Sequence, residues 1–153
     1  MTTGPMTLEV RPGRIEDLSQ VLDLYNHSGL ERNAVLSLGD VEAWFAQIQK
    51  YPSYTLWVAC LTERVVGTFA LLIMDNLVHH RSPSGIVEGV GVARDLQGQG
   101  IGRQMMEVAI STCRAAGCYK LTLSTNLERT AAHSFYESLG FKKHGYSYRV
   151  ELS

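Results

Sequence analysis

The chain has 153 residues, 45% of them apolar, and a net charge of −1 at neutral pH. That is enough for one domain with a buried core, and no run of about 18 apolar residues is present to cross a membrane. Both signs of charge are spread along the chain, which argues against the basic face of a nucleic-acid binder. Met1 to Pro5 lack a basic stretch followed by an apolar one, so no secretory leader is expected and a cytoplasmic location is. Cys60, Cys113 and Cys118 are odd in number and include no Cys-x-x-Cys pair. Free thiols are expected from them, with neither a disulfide framework nor a metal site.

Thr7 to Arg11 alternates and reads as a first strand, ended by Pro12-Gly13. From Arg14 to His27, Ile15, Leu18, Val21, Leu22 and Tyr25 fall at helical spacing. Gly39-Asp40 starts a second helix carrying Val41, Trp44, Phe45 and Ile48. Tyr54 to Cys60 and Val65 to Met74 read as two arms of a hairpin turned at Thr62-Glu63-Arg64. Asn76 to Gly85 is a polar connection holding His79, His80 and Arg81. Ile86 to Ala93 is a fourth strand, and Gly89 and Gly91 inside it predict a bulge or a close approach by another group.

Gly98 to Ala116 is a helix stopped by Gly117, Tyr119 to Thr125 a fifth strand, and Thr130 to Leu139 a short helix ended by Gly140. Phe141 to Lys143 starts a further strand, and Tyr146, Tyr148, Val150 and Leu152 alternate as a last one. Strands and helices interleave without repeat or linker. The expectation is a single α/β domain over residues 1–153, with a mixed sheet and helices on both faces.

The strongest chemical signal is a strand, then Arg94-Asp95-Leu96, then Gln97-Gly98-Gln99-Gly100-Ile101-Gly102, then a helix. Glycines let backbone approach a ligand without Cβ obstruction. The first amides of a helix lack internal acceptors and sit at the positive end of its dipole. Together they form a cradle for a pyrophosphate, and Arg103 adds a cation. A tight turn that merely packs the helix is the plain alternative. The spacing is not the Gly-x-Gly-x-x-Gly of dinucleotide folds, and the Gly-Lys-Ser/Thr of a P-loop is absent.

Gln97-x-x-Gly100-x-Gly102 after a strand, and His133-Ser134-Phe135-Tyr136-Glu137-Ser138-Leu139-Gly140-Phe141 near the C-terminus, resemble the GNAT family of N-acetyltransferases. The order of strands and helices agrees over almost the whole chain. The resemblance implies a GNAT fold: an α/β, mostly antiparallel sheet of six or seven strands. It implies about four helices and a splay between strands four and five. Two branches are similar in motif. Gly117-Cys118-Tyr119-Lys120-Leu121 is similar to glucosamine-6-phosphate N-acetyltransferases. Leu123-Ser124-Thr125-Asn126, followed by Arg129 and Phe135-Tyr136, is similar to aminoalkylphosphonate N-acetyltransferases, as is the His79-His80 pair.

The resemblance implies acetyl-CoA as the acyl donor, bound by Gln97, Gly98, Gln99, Gly100, Ile101, Gly102 and Arg103. Glu88 is implied as base and Tyr136 as acid to the departing sulfur, against plainer roles as a solvated strand-edge carboxylate and a packed ring. Val90 and Val92 would bind the pantetheine arm as an added strand, with the Val92 amide facing the thioester oxygen. Asn126 would bond the arm or cap a loop. Arg129 stands where many members carry an Asn that touches the arm, and either meets a phosphate or sits in solvent. His79, His80 and Arg81 border the substrate side or form a polar surface loop. The expected function is acetyl transfer to the primary amine of a small molecule, with phosphate- or phosphonate-bearing amines as candidates. A protein or peptide N-acetyltransferase and a non-catalytic acyl-CoA-binding module are the alternatives. Dimers are common in this fold, so a homodimer is expected by analogy.

Overall fold

The structure is a computed structural model describing residues 6–28 and 36–152, so Met1 to Pro5, considered above for a leader, lie outside the described residues. In chain order it has β1 (Leu8–Pro12), a 3-10 turn (Ile15–Asp17), α1 (Leu18–Ser28), α2 (Leu38–Ile48), β2 (Tyr54–Leu61) and β3 (Arg64–Met74). A 3-10 turn (His79–Arg81) and β4 (Ser84–Val92) come next, then a 3-10 turn (Arg94–Leu96), α3 (Ile101–Ala115), β5 (Lys120–Leu123) and α4 (Thr130–Ser138). By its contacts the chain divides between Thr122 and Leu123 into two compact units.

The first unit is built on a sheet of order β1-β2-β3-β4-β5. β1 to β4 pair antiparallel in sequence. β5 runs parallel to β4: the Tyr119 amide donates to the Pro83 carbonyl at 3.0 Å, and Thr122 Oγ1 approaches the Gly85 carbonyl at 3.5 Å. The crossover joining two parallel strands is α3, as such a pair requires. Adjacent strand residues face opposite sides. A Cβ on Gly67 would run into Met105 and Ile101 of α3, whereas Thr68 lies beside Tyr25 of α1. Helices therefore cover both faces, as expected.

Leu18, Val21, Val41, Ile48, Leu56 and Val58 make the core on the α1–α2 side. Ile101, Met105, Met106, Ala109 and Cys113 are the buried stripe of α3. α2 begins one residue before the expected Gly39-Asp40, because Ser37 caps it: Ser37 Oγ accepts from the Asp40 amide at 3.1 Å, a capping box with the Asp40 carboxylate on the Ser37 amide. Gln20 ties α1 to the hairpin, accepting from the Val65 amide at 2.9 Å and donating to the Glu63 carbonyl at 3.2 Å.

The entry to α1 rests on a half-buried ion pair. Arg11 donates twice to Asp17, at 2.7 and 3.0 Å, and the Arg14 amide donates to the same carboxylate at 2.7 Å. These bonds, Arg11 first, hold the Asp17 carboxyl below its usual range against the opposing effect of burial. A depressed carboxyl adds stability above its unfolded pKa and loses it as pH falls through the folded value. Asp17→Asn is therefore expected to cost about 2 kcal/mol at neutral pH, or roughly 4–8 °C in melting temperature. Melting both proteins from neutral pH down through the acid range should show the gap closing as Asp17 protonates.

The sheet has five strands among the described residues, not the six or seven expected. Tyr146 and Tyr148 are over 90% exposed, and Val150 and Leu152 are exposed too, so the alternating C-terminal run forms no ladder. Alternation supplies a face, but a strand also needs a neighbour for its backbone groups. Residues 141–143 form no strand either, and the Phe141 amide donates to the Tyr136 carbonyl at 3.1 Å, closing α4.

Candidate active site

β4 is broken where the glycines foretell. Ala70 pairs with Glu88 and Thr68 with Gly91, so Phe69 alone stands opposite both Gly89 and Val90. This is a β-bulge with Gly89 in the left-handed region at φ 61°. Glu88, immediately before it, is exposed. Its carboxylate, after burial, is the next cause raising the Tyr54 phenol pKa, so it faces the side that Tyr54 occupies.

Beyond the bulge, the Ala93 amide donates to the Val66 carbonyl at 2.8 Å. Backbone groups of successive residues point to alternate sides of a strand, so those of Val92 turn away from β3. They turn toward the side where β5 lies, but β5 has four residues against nine in β4 and pairs near its start. The second half of β4 thus has no β5 strand partner. The Val92 carbonyl receives Gln97 Nε2 at 3.4 Å, which holds the start of the glycine loop to the end of the strand.

The loop has the geometry of an anion cradle. Gly98 and Gly100 adopt φ 79° and 85°, and a Cβ on either would meet nothing within 4 Å. Gly100 is the N-cap of α3 and makes no side-chain capping bond. The first α-helical bond runs from the Gln104 amide to the Gly100 carbonyl at 3.1 Å. The preceding amides of the first turn have no intrahelical acceptor and offer donors at the positive helix end. Gln99 and Arg103 are exposed. Ile101 differs from the rest: its side chain is 5% exposed and faces Gly67 in the core, so only its backbone can serve a ligand. These features fit the pyrophosphate of acetyl-CoA: open space above glycine backbone, uncapped amides and an adjacent cation.

An open cleft of about 460 Å³ lies between α1 and the β3 and β4 ends, bordered by Asp23, His27, Arg64, Val92 and Arg94. Of the predicted residues it includes Val92 alone. Arg64 and Asp95 pair across its rim at 2.8 and 3.0 Å.

In the second unit, Tyr136 lies on α4 with Phe135 at 5.0 Å and Phe141 at 5.7 Å between ring centroids. Gly140, at φ 92°, lets the chain turn so that Phe141 folds back on Tyr136. Burial raises the Tyr136 pKa, opposed by the Arg129 cation, so the phenol keeps its proton at neutral pH. Asn126 caps a loop: its side-chain oxygen accepts from the Glu128 amide at 2.8 Å, and its carbonyl lies 2.8 Å from His133 Nε2. Arg129 is the exposed N-cap residue of α4.

His79, His80 and Arg81 do not lie on an extended segment. All three have positive φ, from 56° to 62°, and form one left-handed turn, exposed throughout. Such a conformation is uncommon for non-glycine residues. The His79 ring stacks on Tyr119, with centroids 4.0 Å apart, leaving His80 and Arg81 as the outward groups. No cluster of His, Cys, Asp or Glu among the described residues has the grouping to hold a metal ion.

Two aromatic side chains, Tyr25 at Gly89 and Tyr54 within the field of Glu88, carry no functional signal in the sequence. Tyr25 and Tyr54 sit at regular helical and strand positions and read there as packing. Yet Tyr25 donates its hydroxyl to the Gly89 carbonyl at 2.9 Å. Only the coincidence of a polar-tipped ring with a glycine-broken strand hinted at this.

Residues 18–141 match the family model described as the acetyltransferase (GNAT) family. The chain belongs to the GNAT family. It is 31% identical to the glucosamine 6-phosphate N-acetyltransferase of Trypanosoma brucei brucei over 98% of this chain and 99% of that protein. It is 32% identical to the aminoalkylphosphonate N-acetyltransferase of Salmonella typhimurium over 66% of this chain and 65% of that one. Among solved structures, a Trypanosoma brucei acetyltransferase superposes with a TM-score of 0.80 at 30% identity, covering 95% of this chain and 100% of that chain. This GNAT protein is an acyltransferase whose acyl donor is acetyl-CoA. No helix among its described residues is long and apolar enough to cross a membrane.

Proposed function

We propose that this GNAT protein, acting as one domain over residues 1–153, transfers acetyl from acetyl-CoA to the primary amine of a small molecule in a ternary complex. The observation that carries the proposal is the bulged β4. It leaves an exposed carboxylate at Glu88 and, within one short segment, Val92 backbone groups turned away from β3.

Glu88 accepts the proton of the acceptor ammonium, directly or through water, and frees the nitrogen lone pair. Acetyl-CoA supplies the thioester carbon that the amine attacks and the thiol that leaves as the C–S bond breaks. The Val92 amide donates to the carbonyl oxygen as it gains charge, and the Val90 backbone holds the pantetheine arm as an added strand would. Amides of Gly98 to Gly102, with Gln97, Gln99 and Arg103 beside them, bind the pyrophosphate. Asn126 spends its oxygen on the Glu128 amide and offers its NH₂ to the arm. Tyr136 gives its phenolic proton to the departing sulfur, a role consistent with a phenol held neutral by burial.

The names of the relatives favour small amines with an anionic group: an aminosugar phosphate in one, aminoalkylphosphonates in the other. His80, Arg81 and Arg129 are exposed cationic or ionisable candidates for that group.

Tyr136→Phe is expected to lower kcat by about a hundredfold, the lower end of general acid–base contributions, with acetyl-CoA affinity nearly unchanged. Steady-state rates beside a binding titration check this, and an unaltered kcat removes Tyr136 from the chemistry. Substrate class is tested by thiol release over aminosugar phosphates, aminoalkylphosphonates, polyamines, amino acids and peptides. The small phosphoryl amines should turn over fastest. Turnover of peptides alone would overturn the small-molecule assignment.

A further inference from the structure

The mechanism leaves Tyr25 without a role, although it is the side chain that engages the bulge directly. α1 carries it across the sheet face, and its ring half-buries there. Its hydroxyl donates to the Gly89 carbonyl at 2.9 Å. The same hydroxyl would lie 2.8 Å from a Cβ on Gly89, so the position tolerates no side chain without displacing it. The Thr68 hydroxyl is beside it, on the β3 residue that pairs with Gly91 on the far side of the bulge.

The consequence follows from how a bulge works. Two residues stand against one, so one residue is left out of the ladder and its backbone groups need other partners. Tyr25 is the partner of the Gly89 carbonyl. A bulge that loses such a partner is free to relax toward regular pairing, and a one-residue change of register sends side chains to the opposite face. Glu88 is the residue immediately before this point. Burial pushes the Tyr25 phenol up to about 12, so it stays a proton donor across the working pH range and the clamp does not titrate away.

We propose that Tyr25 is a positioning residue for acetyl transfer: by donating to the Gly89 carbonyl it holds the β4 bulge that presents Glu88 to the acceptor amine. The proposal rests on Glu88 as the base, and its test separates the two. Tyr25→Phe keeps the ring and removes only the donor. It should lower kcat about tenfold, and hydrogen exchange of the segment 87–92 should quicken about tenfold while the melting temperature changes little. In a Glu88→Gln background the same substitution should cost less than twofold more, because the group it positions is gone.

A Tyr25→Phe enzyme with wild-type kcat, or a loss that simply multiplies with that of Glu88→Gln, overturns the positioning role. Unchanged exchange in the segment overturns the clamp itself. Full activity of the Glu88→Gln single variant removes the base and with it the catalytic part of the proposal, while the exchange measurement still decides whether Tyr25 holds the bulge.

Discussion

Glu88→Gln is expected to slow amine acetylation by about 10²–10⁴-fold at neutral pH, the usual worth of a positioned base. Glutamine keeps the size and the strand fit but accepts no proton. The residual rate must then draw on amine already deprotonated in solution. For an acceptor amine of pKa near 10 that fraction grows about tenfold for each pH unit. The variant's rate should therefore climb with pH beyond the point where the wild type levels off. Acetyl-CoA affinity should hold, because the contacts proposed for the pyrophosphate and the pantetheine arm lie on the loop and on backbone past the bulge. A pH–rate profile for both proteins is the measurement, and identical profiles would move the search for a base to another residue.

Gly100→Val is expected to weaken acetyl-CoA binding at least tenfold and to spare most of the fold. Gly100 sits at φ 85° with nothing within 4 Å of a Cβ, so the change meets no packed neighbour. The left-handed conformation costs a non-glycine residue about 1–2 kcal/mol, and more for a β-branched one. Relief of that strain moves the first amides of α3 off their aim, and each 1.4 kcal/mol lost in binding is tenfold in Kd. The added methyl groups also occupy the space a phosphate would take. Gly67→Ala is the control. A Cβ there runs into Met105 and Ile101, so it should depress stability without singling out the cofactor. Binding titrations and melts of the two variants should show this opposite pattern.

The core of the fold was legible because its elements carry their own periods. Val41, Trp44, Phe45 and Ile48 identify α2 by spacing alone, and two glycines in β4 announce the bulge. The glycine loop was legible for the same local reason, since positive φ and uncapped helix amides belong to a few consecutive residues. Partner-dependent features were not. Tyr146 to Leu152 alternate as a strand should, yet no ladder forms on them. His79 to Arg81 have the composition of an ordinary polar connection, and nothing in it signals a left-handed turn with His79 stacked on Tyr119. Tyr25 shows the same gap from the other side. Its place in a helical apolar stripe is visible in sequence, whereas its bond to Gly89 spans 64 positions of chain.

The glycine loop and the opened half of β4 point to acetyl-CoA, and a thermal melt reads that binding without any assumption about the acceptor. With acetyl-CoA at a hundred times its Kd, the folded protein should gain about 2.7 kcal/mol. The melting temperature should rise by roughly 5–10 °C, and Gly100→Val should blunt the rise. An unchanged melting temperature at millimolar acetyl-CoA would mean that the loop does not hold the cofactor.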